Sequence, residues 1–428
     1  MPAVDAALER AAERFGTPAF VYFADAIERR IQELDQAFGG RFALSFAVKS
    51  NPNPALLAWL ENRIPFLDIS SIGEMRLALD AGWSAARLSF TGPAKRDFEL
   101  EEAIAAGLGE LVVESVREAR AASVIAGRLG RRQKIVVRLA PDTVPRGFGD
   151  QMAGRPSAFG IDIEEAGTAL PLIAALPNLR LVGFHIYSGT QCLRPAAIVE
   201  NYRQFIALFR TLCAEYAIEP EVLTFGSGLG IPYHDSDTGL DLADVAQTIA
   251  PDLDTLRAQS AFAGTRLGLE LGRYLVGEAG YFLTRVVSLK ASRGVRIAIC
   301  DGGMNNHLPA AGHFGMVIRR AYTMHKVGAA AHEPVEKIDL VGPLCTSIDR
   351  LGSQVELPRL EEGDLVAVHN SGAYGLTASP LHFISHAPAV ELIVEGGEIR
   401  DVSRFGRSAA PAPVVRAMPT ADPEPQAA

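Results

Sequence analysis

A series of short apolar runs in this sequence each end on a residue able to do chemistry: Lys49, Asp68, Glu114, Arg138, His185, Gly226, and Glu270 with Arg273. Any one of them also reads as a strand-end residue that caps the next helix or pairs with a neighbour, but the set as a whole is hard to explain as surface decoration. Lys49 follows FAV and precedes SNPNP, where Pro52 and Pro54 stiffen the turn into a helix. Desolvation there lowers an amine's pKa and makes it a carbonyl-capturing nucleophile, while a solvated lysine in a salt bridge has the same spacing. The segment TFGSGLGIP (224 to 232) sets Gly226, Gly228 and Gly230 after an apolar run, where backbone N–H groups can wrap a phosphate without interference from Cβ atoms. In LELGRYL, Arg273 suits a phosphate through its planar fork. Glu270 suits a ring nitrogen that must stay protonated to draw electrons, and a local Glu/Arg salt bridge is the alternative. His185, in FHIYSGTQ, reads either as a core histidine or as a ring stacked on an aromatic ligand, with Ser188 then free for a phosphate or a ring hydroxyl.

Two polar segments lie further on, GPLCTSIDRLG (342 to 352) and NSGAYGLTASP (370 to 380). Cys345 sits in a Pro/Gly-flanked loop with Asp349 four residues on, the context of a reactive thiol rather than a buried spacer. Tyr374, between Gly372 and Gly375, is held on a tight turn where its phenol can reach a phosphate or a carboxylate, or can serve as an ordinary hairpin residue.

The elements that must position these groups alternate between β-rich runs and amphipathic stretches. Eight strand candidates fall at 42 to 48, 66 to 69, 86 to 90, 110 to 114, 134 to 140, 180 to 186, 221 to 226 and 266 to 271. Helical patterns such as NPALLAWLENR, IGEMRLALDAG and VREARAASVIAGRLG lie between them. Eight such units predict an α/β fold, a closed (β/α)8 TIM barrel whose chemistry collects at the C-terminal strand ends. After residue 275 the alternation gives way to YFLTRVVSLKA, VRIAICDGG, EKIDLVGP, DLVAVHN and VELIVEGGEIRDV, strands with few helices between them. The expected organisation is an N-terminal segment (1–25) whose FVYF run joins the β domain, a barrel (26–275), a mainly β C-terminal domain (276–408), and a Pro/Ala-rich disordered tail (409–428).

Composition excludes several functions. The 41 basic and 50 acidic residues leave a net charge of −9, and no Lys/Arg run forms a phosphate-tracking stripe, so nucleic acid is not an expected partner. The N-terminal MPAVDAALERAAERFG lacks the apolar core of a secretory signal, and no apolar stretch approaches the ~20 residues that span a bilayer, so a cytoplasmic enzyme without membrane partners is expected. Cys192, Cys213, Cys300 and Cys345 are scattered without a CxxC pair, and neither a disulfide framework nor a metal site is expected.

The motifs FAVKSN (46 to 51), LDISSIGE (67 to 74), PSAFGID (156 to 162), FHIYSGTQ (184 to 191), GSGLG (226 to 230), ELGRYLV (270 to 276), CDGGMNNH (300 to 307), GPLCTSIDRLG and SGAYG occur in this order over roughly residues 15 to 405. The set resembles the fold-type III pyridoxal-phosphate-dependent decarboxylases of the ornithine/diaminopimelate type, with their alanine racemase-like two-domain architecture. The resemblance implies that Lys49 carries pyridoxal 5'-phosphate as a Schiff base, that His185 stacks on its ring, and that Glu270 faces its pyridine nitrogen. It implies that Gly228, Gly230, Ser188, Arg273 and Tyr374 hold the phosphate and its surroundings, that Asp68 and Arg138 line the cofactor's edge, and that Glu74 supports the dimer or a neighbouring site residue. It further implies a head-to-tail homodimer in which Cys345 reaches the other subunit's site and returns a proton to Cα after CO2 leaves. Thr346, Asp349 and Tyr374 join Cys345 as expected substrate contacts.

The substrate is where the sequence departs from the best-known branches. Diaminopimelate decarboxylases carry an Arg after the MN motif and a Glu directly after the cysteine, and ornithine-type enzymes place an Asp there. This chain has MNNHLPAAG and Thr346. GPLCTSIDRLG and CDGGMNNH are more similar to the branch that includes the decarboxylase of glutamyl groups on an acyl carrier protein in butirosin biosynthesis. An amino acid or amino-acyl substrate with a neutral distal end, free or carrier-tethered, fits Thr346 better. An amino-acid racemase on the same barrel, a diaminopimelate decarboxylase and a non-catalytic regulator are the competing readings. Glu270 opposes the racemase, which typically sets an Arg against the ring nitrogen.

Overall fold

Residues 2–313 and 320–405 are described by the computed structural model. The predicted tail at 409–428 lies outside the described residues.

The first strand, β1 (Ala19–Phe23), precedes eight strands that form the barrel: β2 (Ala43–Ala47), β3 (Phe66–Ile69), β4 (Leu88–Phe90), β5 (Glu110–Val113), β6 (Gln133–Ala140), β7 (Leu179–Ile186), β8 (Val222–Gly226) and β9 (Arg266–Leu271). Each pairs in parallel with the next, and β9 pairs with β2, so the sheet closes on itself. The strands are apolar on both faces because one face fills the barrel and the other packs on the helices. Phe205 and Phe209 of the helix Pro195–Glu215 lie against Phe225 of β8, and Phe209 stacks on Phe184 of β7. All eight predicted strands are present. The third is shorter than the 86 to 90 expected, because residues 85–87 form a 3-10 turn whose Ala86 N–H is capped by the Ser84 side chain.

The second domain is a sheet of β10 (Gly280–Ser292), β11 (Val295–Cys300), β12 (Met324–Lys326), β13 (Val335–Val341), β14 (Arg350–Pro358), β15 (Leu365–Val368), β16 (Val390–Glu395) and β17 (Glu398–Asp401). β1 lies in this sheet, antiparallel to β10 and parallel to β16. The helix Pro2–Phe15 covers it with Leu8, Ala11 and Ala12, packed on Val21, Leu283 and Leu392. β14 has no counterpart among the predicted strands. Its alternation is broken by Gly352, Ser353 and Gln354, the last at φ +51° where the pairing with β13 slips.

Candidate active site

The mouth of the barrel is built by strand alternation. Val112, Val136, Val182 and Val222 form a small cluster of their own, the floor of the barrel interior. Two residues beyond Val112 and Val136 on the same face come Glu114 and Arg138. On β7 the spacing is three, from Val182 to His185, and strict alternation would turn His185 outward. The register of β7 on β6 slips by one residue at this point, with Val136 opposite Gly183, and the bulge restores His185 to the inner face. Gly183 has φ +156°, and a Cβ there would lie 1.7 Å from the Val222 carbonyl oxygen, so no other residue fits the bulge.

Cross-strand register then gathers the ionisable groups. Glu270 pairs with Gly226 on one side and Ser45 on the other, and Asp68 lies opposite Ala47. Lys49 follows in a 3-10 turn, Val48–Ser50, past the end of β2. Its Nζ stands 3.6 Å from Asp68 Oδ2 and 3.7 Å from Glu270 Oε1, with the side chain 40% exposed to the cavity. Glu270 Oε2 is 2.8 Å from His185 Nε2, and Thr91 Oγ1 donates to Asp68 Oδ1 at 2.5 Å. Burial pushes the Glu270 carboxyl up, but the Lys49 ammonium and the His185 hydrogen bond outweigh it and hold the carboxyl low. Asp68 is pushed up, by burial and by the Glu270 charge beside it. Of the two readings its sequence allows, Lys49 takes the salt-bridged one and not that of a desolvated amine with a lowered pKa. Burial does act in that direction, yet the two carboxylates reverse it and keep the group an ammonium.

Arg138 Nη1 lies 3.2 Å from both oxygens of Glu114, whose carboxylate also accepts from the Gly92 and Gly160 N–H groups, and its guanidinium lies over the Phe159 ring. Arg273 donates to the Tyr233 hydroxyl at 2.9 Å, with its guanidinium 5.0 Å from the Tyr374 ring centre. Tyr374 itself has φ +54°, an uncommon conformation for a residue with a side chain. Glu74 accepts from the Ser70 N–H at 2.7 Å, fixing a residue of the cavity wall from the start of the helix Ile72–Asp80.

Lys49, Arg138, His185, Glu270, Arg273 and Tyr374 line one cavity of about 340 Å³, and Asp68 stands behind Lys49. Other expected site residues lie apart from it. Gly228 adopts φ +67° beside Phe148, but the Gly230 N–H is donated to the Cys192 carbonyl at 2.9 Å, so it is not an available phosphate donor. Cys345 is exposed and Thr346 half-buried on the loop between β13 and β14, and neither lines this cavity. Asp349, another expected substrate contact, does not line this cavity either. It is buried, and its two oxygens accept the Met304 and Leu344 N–H groups at 2.6 and 2.8 Å. Sequence reasoning missed Tyr187, Thr91, Phe159, Met152 and Thr190, which complete the wall. Tyr187, Thr190 and Phe159 lie inside the motifs FHIYSGTQ and PSAFGID, where position in a motif was the available signal.

The cavity fits a phosphorylated, ring-bearing cofactor. Four buried polar atoms at or beside it have no hydrogen-bond partner within the protein: Asp68 Oδ2, His185 Nδ1, Ser188 Oγ and Arg273 Nε. Buried polar groups are rarely left so, and a carboxylate, an imidazole, a hydroxyl and a guanidinium are groups that such a molecule can satisfy. A closed parallel barrel with a β domain and a mouth lysine defines the class, a pyridoxal-dependent enzyme of the two-domain barrel type.

The chain belongs to the pyridoxal-dependent decarboxylases: residues 24–277 match the family's pyridoxal binding domain. It is 33% identical over 401 residues to the L-glutamyl-[BtrI acyl-carrier protein] decarboxylase of Niallia circulans, covering 92% of each chain. It is 31% identical to the diaminopimelate decarboxylase of Aquifex aeolicus, covering 92% of this chain and 90% of that one. Among solved structures, diaminopimelate decarboxylase from Helicobacter pylori complexed with L-lysine superposes with a TM-score of 0.83 at 27% identity, covering 93% of this chain and 96% of that one. The chain is thus a pyridoxal-phosphate-dependent amino-acid decarboxylase. Among the described residues, no helix is long and apolar enough to cross a membrane.

Proposed function

We propose that this decarboxylase acts on an amino-acyl substrate whose distal end is uncharged, with a glutamyl group linked through a thioester to a carrier protein as the leading case. The observation that carries this reading is the state of the cations in the cavity. Lys49 is held by Asp68 and Glu270 and Arg138 by both oxygens of Glu114, while Arg273, bonded to Tyr233 through Nη1, is taken by the phosphate end of the cofactor. That leaves none of the three for a distal carboxylate, and MNNHLPAAG has no Arg after the MN motif. The name of the Niallia circulans relative points to the same chemistry.

In this reading Lys49 holds the cofactor and later reclaims it from the product. Pyridoxal phosphate, when bound, supplies an aldehyde that captures the substrate amine and a ring that takes up the electron pair left at Cα as CO2 departs. Glu270, kept ionised, would favour a protonated ring nitrogen, and His185 would pack against the ring. Arg273, Ser188 and Tyr374 would bind the phosphate end. Lys49 cannot act as a nucleophile while an ammonium, so its proton must leave before it bonds to an aldehyde. The exposed Cys345 and its neighbour Thr346 serve the cavity of a second copy in a head-to-tail homodimer, where the Cys345 thiol returns a proton to Cα.

CO2 release from carrier-linked glutamyl thioester, measured beside free glutamate, ornithine and diaminopimelate, tests the substrate. Turnover of the thioester with little from the free diamino acids is expected. Efficient conversion of diaminopimelate to lysine would overturn it.

A further inference from the structure

The four residues after Lys49 leave the barrel's own hydrogen-bonding system and attach to the second domain. Ser50 O accepts the Tyr374 N–H at 2.7 Å, and Asn51 Nδ2 donates to Gly372 O at 3.0 Å. Pro52 O lies 3.5 Å from Arg404 Nη1, and Asn53 Nδ2 donates to Val402 O at 3.0 Å. All four residues are buried. The barrel secures only the near side of this turn, through Ser50 Oγ to Ala47 O and the Asn51 N–H to Val48 O. The two asparagines also serve one another and the next helix: Asn51 Oδ1 accepts the Asn53 N–H at 3.2 Å, and Asn53 Oδ1 caps the helix Pro54–Leu60 at the Ala55 N–H. Neither side-chain amide makes a contact in the cavity itself.

We propose that Asn51 and Asn53 are positioning residues through which the β domain sets the place of Lys49. The physical reason lies in where a turn gets its rigidity. A strand end followed by a 3-10 turn and two prolines is stiff along the chain but free to pivot about its last strand residue. Bonds on both sides remove that pivot. The loop that receives Asn51 also carries Tyr374, whose left-handed backbone is held by its N–H bond to Ser50 and whose ring lies against Arg273. One loop of the β domain therefore sets the lysine and the guanidinium relative to each other in the one cavity that both line.

This inference rests on the assignment of Lys49 as the cofactor lysine, which Lys49→Ala checks separately. Persistence of the visible band of lysine-bound cofactor in that variant would overturn the assignment, whereas the latch formed by Asn51 and Asn53 is tested by their own variants. For the latch, Asn51→Asp keeps the oxygen that receives the Asn53 N–H but sets an oxygen against the Gly372 carbonyl. Asn53→Asp keeps the helix cap and loses the bonds of the Asn53 amide to Val402 O and to the Glu391 carboxylate. The control is Trp83→Phe, which removes one buried hydrogen bond to the helix that follows the turn, at Leu57 O, and leaves the bonds to the β domain in place.

The cofactor-free proteins are titrated with pyridoxal phosphate, following the visible band, and the acylation rate of Lys49 is measured against pH. A loss of about tenfold in cofactor affinity is expected for Asn51→Asp and about threefold for Asn53→Asp, with a shifted pH profile at Lys49 and no change in Trp83→Phe. Wild-type affinity and profile in Asn51→Asp, or an equal loss in Trp83→Phe, overturns the proposal. Should Asn51→Asp fail to fold, Asn53→Asp decides by the same two readings.

Discussion

Lys49 has two carboxylates at nearly equal distances, Asp68 at 3.6 Å and Glu270 at 3.7 Å, and geometry alone would give them equal weight. Their protonation separates them, since Glu270 is held ionised and Asp68 is pushed up. At 3.7 Å the Coulomb energy of a unit pair runs from about 1 kcal/mol at a water-like dielectric to about 4.5 at an effective value of ~20. The Lys49 side chain is 40% exposed, which places the true value in the lower half of that range. Glu270→Gln should thus lower the Lys49 pKa by roughly 1 to 2 units, at about 1.4 kcal/mol per unit. Asp68, freed from Glu270's repulsion, ionises more readily and recovers part of the loss, leaving about one unit. The assay is acylation of Lys49 in cofactor-free protein across pH, read by peptide mass spectrometry. At fixed neutral pH the rate should rise about tenfold in Glu270→Gln and distinctly less in Asp68→Asn, because little charge is removed there. A larger acceleration in Asp68→Asn, or none in either variant, would refute the assignment of charge.

Two further outcomes concern the β domain. Asp349→Ala leaves the buried Met304 and Leu344 N–H groups without their acceptor and should cost about 2 to 5 kcal/mol in urea unfolding, with Asp349→Asn less damaging; a hundredfold loss of kcat/KM without a stability change would return Asp349 to the substrate site. His307 is fully buried, its Nδ1 accepting the Ala310 N–H and its Nε2 3.0 Å from Ser371 Oγ, and burial holds its pKa down at about 3. A histidine depressed in the folded state contributes stability above its unfolded value near 6.5, and that stability is lost as pH falls toward the folded value. Between pH 6.5 and 4.5 the loss should approach about 2.7 kcal/mol and should vanish in His307→Gln; an unchanged pH slope in that variant would exclude His307 as its source.

How much of this was legible in the sequence depends on the distance over which each feature is determined. A parallel barrel strand is apolar along its length and meets solvent and ligands at its C-terminal end, so a polar residue closing an apolar run marks the mouth without any knowledge of partners. Lys49, Arg138, His185, Glu270 and Arg273 were found in that way, and all five line one cavity. The electrostatic state of Lys49 was not legible, because the register that brings Glu270 and Asp68 to its sides is a relation among three strands, β2, β3 and β9. The same holds for Asp349, whose acceptors' partners come from two separate loops and whose place beside Cys345 made it look like a site residue.

His185 lies between these cases. Its type and position were readable, but its inward direction rests on a one-residue slip at Gly183 that pattern alone would misplace. The SNPN segment is the strongest instance of the limit. Read locally, its prolines and asparagines describe a stiff turn and a helix cap, and both descriptions hold. That each of its residues is also bonded to a strand or loop more than 300 positions away is a property of how two domains meet. A residue whose local role is already sufficient gives no sign of a second one. Positioning residues of this kind are therefore to be sought where a short buried turn beside a reactive side chain has polar groups in excess of its local needs.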